Sequence, residues 1–113
     1  MDIEKKIMVG PTDTDSYNII HHPQYIIWME EAILEWLIST YGNMEKLSYE
    51  ISKVQCKFIS PGVLYDNLLL RLRLKNRTAA HDDENMKFQV KIVNQKDQGS
   101  VLKAELFLTV KGK

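Results

Sequence analysis

The segment from Pro23 to Tyr41, PQYIIWMEEAILEWLISTY, constrains the fold more than any other. Proline is favoured in the first turn of a helix, where its missing N–H has no helical partner to lose. Pro23 therefore marks a helix start, and Gly42-Asn43 marks its stop. Placed at about 100° per residue, Gln24, Glu31, Glu35 and Ser39 form one polar stripe, with Trp28 falling on it. Ile26, Ile27, Ile33, Leu34, Leu37 and Ile38 cover the rest, and Glu30 lies among them. A helix this apolar needs cover, and a sheet wrapped around it is the natural solution. Glu30 is either a boundary residue whose carboxylate reaches water or a buried acid that needs a partner.

The rest of the chain supplies the sheet. Leu68, Leu70, Leu72 and Leu74 alternate with Leu69, Arg71, Arg73 and Lys75. Met86, Phe88, Val90 and Ile92 alternate with Lys87, Gln89, Lys91 and Val93, and a third alternation runs from Leu102 to Lys111. Period two with one apolar face reads as half-buried antiparallel strands. Asn94 to Gly99 turns the last two into a hairpin. Val54, Cys56 and Phe58 suggest another strand, and Ile3 to Val9 a short first one ended by Gly10-Pro11. The expectation is an α+β domain over residues 1–113, with about five antiparallel strands around one long helix. Leu69, Val93 and Phe107 fall on the outer strand faces, which together with open sheet edges favours self-association.

Composition narrows the function classes. Formal net charge is zero, which disfavours a nucleic-acid binder driven by phosphate neutralisation. The single cysteine, Cys56, excludes an intrachain disulfide and reads as a small core residue in a reducing, cytoplasmic setting. No stretch has membrane-spanning length, and the first residues carry no apolar signal core.

The loop before the helix carries the chemistry: Asp13, Thr14, Asp15, Asn18, His21 and His22. One reading is turn chemistry, with Asp and Ser satisfying loose backbone groups. A second is a metal site from Asp13, Asp15, His21 and His22, although the spacing matches no standard zinc pattern. A third is hydrolysis, with a carboxylate as base or nucleophile beside the positive end of a helix, whose N–H groups stabilise an oxyanion.

The segment resembles the signature of the hotdog-fold acyl-CoA thioesterases of the 4-hydroxybenzoyl-CoA thioesterase type. Asp13, Thr14, Asp15, Ile20, His22, Tyr25, Glu30 and Ala32 stand at the signature's spacings, and Val54 to Phe58 with Ser60-Pro61 is similar to the family's next strand and loop. The resemblance implies a hotdog fold, a homodimer as the minimal active unit with its sites at the interface, and further pairing to a homotetramer. It implies hydrolysis of an acyl thioester of coenzyme A or an acyl carrier. Asp15 would be the nucleophile or general base, and the backbone N–H at His22 would polarise the thioester carbonyl. Thiolate leaves readily, so no strong general acid and no triad is needed. Tyr25, Glu30, Asn18 and Pro23 would shape the substrate site. Arg71, Arg73, Lys75, Arg77 and Lys57 are either a solvated strand face or candidates for the phosphates of coenzyme A, with Lys75 and Arg77 foremost because they approach the strand end. No metal or redox cofactor is implied; coenzyme A enters only as part of the substrate. Asn18 stands where the family usually has glycine and Ile33 where it usually has arginine. The alternatives are a non-catalytic hotdog domain that binds acyl-CoA or an acyl carrier protein, and a dehydratase-like hotdog enzyme with its acid–base pair elsewhere.

Overall fold

The computed structural model describes residues 2–42, 45, 48–80 and 83–112. Strand β1 (Ile3–Met8) is followed by a 3-10 turn at Pro11–Asp13 and the long helix α1 (His22–Tyr41). Four longer strands complete the chain: β2 (Ser48–Phe58), β3 (Asn67–Ala80), β4 (Asp83–Asn94) and β5 (Ser100–Lys111). They form one antiparallel sheet in the order β1-β3-β4-β5-β2. Asn43, His81 and Asp82 lie outside the described residues, while Gly42 ends α1 with φ 77° and donates its N–H to the Ile38 carbonyl.

Period-two alternation places one side chain in two on the inner face. Leu68, Leu70 and Leu72 of β3, Phe88, Val90 and Ile92 of β4, and Leu102, Leu106 and Leu108 of β5 are all buried there. Irregularities at Ile51/Lys53, Leu74/Asn76 and Ile92/Val93 interrupt the registers. Such bulges bend a strand and increase its twist, which curls the sheet toward the helix. Helix α1 lies on the inner face and buries Tyr25, Trp28, Met29, Ala32, Ile33, Trp36 and Leu37. Trp36 meets Phe88 edge to face with ring centroids 5.0 Å apart, an arrangement worth about 0.5–1.5 kcal/mol beyond area burial.

Two expectations about the helix are corrected. Trp28 does not belong to the polar stripe: only 6% exposed, it sits at the edge of the buried arc and turns its ring inward onto Tyr25 at 5.7 Å. Nor does this chain's sheet cover the helix fully. Ile27, Leu34 and Ile38 are 47%, 41% and 48% exposed, and Glu30 is exposed between them. The acids of the true polar stripe, Glu31 and Glu35, are tied to Lys5 of β1 at 3.6 and 3.4 Å.

The far end of the helix is pinned by a side-chain cluster. The Tyr41 hydroxyl donates to Glu84 Oε2 at 2.7 Å, and Arg77 Nε donates to the same oxygen at 2.7 Å. Burial first, and then the bond to Glu84, push the Tyr41 hydroxyl up to about 12. The bonds from Arg77 and Tyr41 hold the Glu84 carboxyl below its usual 4.5. A depressed carboxylate stabilises the fold above its unfolded value, and that contribution is lost as pH falls through the depressed folded value. Glu84→Gln is therefore expected to flatten the loss of stability on acidification, read as the urea midpoint followed downward from about pH 6 through the carboxylate range.

Candidate functional site

Loop geometry places the two candidate catalytic residues. Gly10 donates its N–H to Asp13 Oδ2 at 2.8 Å and so fixes the 3-10 turn. The loop then doubles back: Asp15 N–H bonds the Ile19 carbonyl at 2.9 Å, and Thr14 bridges to Ile20. Asn18 makes the reversal with φ 62°. That left-handed backbone is where glycine is the default and asparagine the next choice. Its carbonyl accepts the Leu64 N–H at 2.9 Å, and the Ile20 N–H bonds Gly62 O at 2.9 Å, so the loop is stitched to the segment between β2 and β3.

Asp15 is exposed at the head of this reversal. Its Oδ1 accepts the N–H groups of Tyr17 at 2.8 Å and Ile19 at 3.2 Å, while no described residue engages Oδ2. Turn chemistry and an available carboxylate oxygen thus coexist in one side chain. The four groups of the metal reading diverge. Asp13 serves Gly10, Asp15 serves its own turn, His21 Nε2 lies 3.2 Å from Thr12 O, and the His22 ring lies on Phe58. Among the described residues no group of three potential ligands converges.

His22 is the first residue of α1, with His21 as its cap and Pro23 behind it. The His21 N–H is taken by Asp13 O at 3.2 Å, Pro23 has none, and Gln24 N–H turns back to His21 O at 3.0 Å. No acceptor among the described residues takes the His22 N–H. No acidic residue stands in this first turn either, so the positive end of the helix macrodipole is uncompensated there. The His22 ring is stacked on Phe58 at 4.0 Å with an interplanar angle of 8°, which fixes where β2 ends against the helix start.

Two hollows share His22 and Phe58. One is lined also by Ile19, Ile20, Tyr25 and Ser60. The other is an open apolar trough along Pro23, Ile26, Ile27, Val54 and Cys56. Tyr25 is 2% exposed. Burial above all raises its hydroxyl, against an opposing hydrogen bond with the Gly62 backbone. A Cβ on Gly62 would fall 2.4 Å from Ile20 Cδ1 and 3.2 Å from the Tyr25 hydroxyl, so any side chain there displaces the Ile20 side chain. Burial pushes the Cys56 thiol up, so Cys56 serves as trough wall in its neutral form.

The remaining candidates lie apart within the chain. Glu30 is exposed on the helix stripe, two turns beyond Pro23. Lys75 is exposed on β3, and Arg77 is held by Glu84 and Tyr41 at the other end of α1 from His22. From the sequence, Phe58 is one of several aromatic residues, with Tyr17, Trp28 and Tyr65, that either line the pocket or serve as core or interface. Its position before Ser60-Pro61 was visible, but its stacking on His22 joins residues far apart in the chain and left no local signal.

A family model described as the Thioesterase-like superfamily matches residues 9–111. The chain belongs to that superfamily. Its fold is the hotdog fold of solved thioesterase structures. A probable thioesterase from Bartonella henselae is 17% identical with a TM-score of 0.80, the match covering 99% of this chain and 91% of that one. A 1,4-dihydroxy-2-naphthoyl-CoA thioesterase from Synechocystis is 18% identical with a TM-score of 0.83, over 99% and 83% of the two chains. A gentisyl-coenzyme A thioesterase is 19% identical with a TM-score of 0.81, over 96% and 88%. No protein with a curated description matches the sequence. No helix among the described residues is long and apolar enough to cross a membrane.

Proposed function

We propose that this superfamily member hydrolyses an acyl-CoA thioester to a free acid and coenzyme A, in a site completed by a second copy of the chain. The observation that carries the reading is the unengaged His22 N–H at the uncompensated end of α1, beside the apolar trough. A thioester carbonyl oxygen placed there meets a fixed donor and the helix dipole, both of which bind the negative charge that develops on attack more strongly than the neutral carbonyl. Asp15, on the same loop, supplies the other half of the chemistry through Oδ2. As nucleophile it forms a mixed anhydride and expels the thiolate, and water then opens the anhydride. As general base it takes a proton from the water that attacks directly. Single turnover in heavy-oxygen water separates the two: only the nucleophilic route can leave label in the Asp15 carboxylate.

The acyl group would lie along Pro23, Ile26, Val54 and Phe58. The wall that this chain supplies offers a hydroxylated acyl group only His22 and the weakly hydrogen-bonding Cys56 thiol. Unsubstituted aliphatic or aryl groups are favoured, by about 10- to 100-fold in kcat/KM over hydroxyaryl ones, the range an apolar pocket achieves against an added hydroxyl.

Two features support the homodimer. Strand β2 is a sheet edge eleven residues long, with no strand on its outer edge among the described residues, a liability that proteins cover. Beside it run the trough and the exposed Ile27, Leu34 and Ile38. Two copies joined about a twofold axis along β2 cover both at once. The experiment is thiol release from acyl-CoAs of increasing chain length, with benzoyl-CoA and 4-hydroxybenzoyl-CoA alongside. Turnover that peaks on an apolar acyl group supports the reading. Folded protein that cleaves none of them removes it.

A further inference from the structure

The chain's neutral net charge hides a sharply uneven surface. Strand registers place Arg71 opposite Lys91, Lys91 opposite Lys103, and Lys103 opposite Lys57. All four alternate with inward-facing neighbours and stand exposed on the outer sheet face. The result is a row of cations across four adjacent strands, stepped at about 4.8 Å. Glu4 neutralises Arg71 at one end with a 2.6 Å ion pair. Lys91, Lys103 and Lys57 have no carboxylate or aromatic partner among the described residues. The nearest acid along the strand, Glu105, is taken by Lys87 at 2.8 Å. Like charges directly opposite one another destabilise a sheet, so three unpaired lysines in a line are a cost that the fold itself does not need.

We propose that this row docks an acidic helix of a partner protein. A helix laid across the strands brings one side chain round per turn of about 5.4 Å, so carboxylates at i, i+4 and i+7 span about 10.5 Å. Three lysines on adjacent strands span about 9.6 Å, so each carboxylate meets one ammonium group. A lipid surface fits less well, because stable membrane attachment needs apolar side chains that insert. One side of the row is flanked by Gln55, Glu105 and Gln89, and on the other side the apolar Leu69 and Val93 are paired with each other and half-buried, while Phe107 is capped by Lys53 and Lys87. The row lies on the face away from α1, so a dimer formed through the β2 edges leaves it open. Its Lys57 end precedes Phe58, the residue stacked on His22, so the partner is brought to the rim of the candidate site. The inference does not rest on thioester hydrolysis, and its test reads binding alone.

The probe is a fluorescein-labelled, alanine-rich helical peptide with glutamates at i, i+4 and i+7, titrated by anisotropy with the full chain. Its control is an isomer of the same composition with the glutamates spread around the helix. Binding of the aligned peptide is expected to weaken at least about 10-fold between about 50 and 200 mM salt. Lys91→Gln with Lys103→Gln is expected to weaken it by about 10-fold or more, while thermal stability holds or rises because repulsion is removed. The proposal is overturned if the aligned peptide does not bind, if the isomer binds equally well, or if the double variant binds like wild type. It is also overturned if vesicles of anionic phospholipid bind more tightly than the peptide with the same dependence on the two lysines, which would make the row a lipid contact.

Discussion

Asp15→Asn is expected to lower kcat about 100- to 10,000-fold, the range associated with removing a positioned acid–base or nucleophilic group. The fold should be unaffected, for a reason visible in the loop. Asp15 Oδ1 accepts the Tyr17 and Ile19 N–H groups, and an asparagine carbonyl can accept both in the same geometry. The substitution therefore spares the turn and removes only the charge and the available oxygen. Asp15→Ala would remove both and confound stability with chemistry. Steady-state thiol release together with a thermal melt separates the two effects. A variant that keeps its melting temperature and its turnover would show that Asp15 only builds the turn and that another group carries the hydrolysis.

Ile27→Asp with Leu34→Asp is expected to give a folded monomer without turnover. Both side chains are already about half exposed in the single chain, so the sheet side of the helix keeps its packing. In a dimer, covering the exposed half of each contributes about 0.7–1.5 kcal/mol, about half the value of a full burial, from both chains at once. Losing two per chain, with carboxylates in their place, weakens association by more than about 100-fold. Light scattering should then move from a multiple of the 13.2 kDa chain mass to the chain mass itself. If the variant becomes monomeric and remains fully active, the site is complete within one chain.

The parts of the fold legible in the sequence were those set by local rules. Three alternating segments became β3, β4 and β5, and the hairpin at Asn94 to Gly99 joins the last two. Pro23 and Gly42 bracketed the helix to within a residue. The strand order was not legible, because β1 pairs with β3 and β2 with β5 across long separations that leave no periodic trace. Trp28 was misassigned because its angular position borders both arcs of the helix, and a large ring swings toward the core where a small polar side chain would not. The site was legible as a segment rather than as a geometry. Asn18 in a left-handed backbone follows from residue type. The sharing of Asp15 between its own turn and an available oxygen depends on hydrogen bonds that only the folded loop defines.

The sheet order also implies a sequence of assembly. Strands β3, β4 and β5 are neighbours in space and in sequence, so their contacts close with little loss of chain entropy. Strands β1 and β2 must find the two outer positions across much longer loops. The candidate site hangs from those late pieces: its loop follows β1, and Phe58 is the last residue of β2. The apparatus proposed to act on thioesters is thus anchored to the margins of the sheet, where local opening costs least. Native-state hydrogen exchange should find the β1 amides and the 15–20 turn opening well before the centre of β4. The rigid meander then serves as the stationary frame, and the site as the part free to breathe around an entering acyl chain.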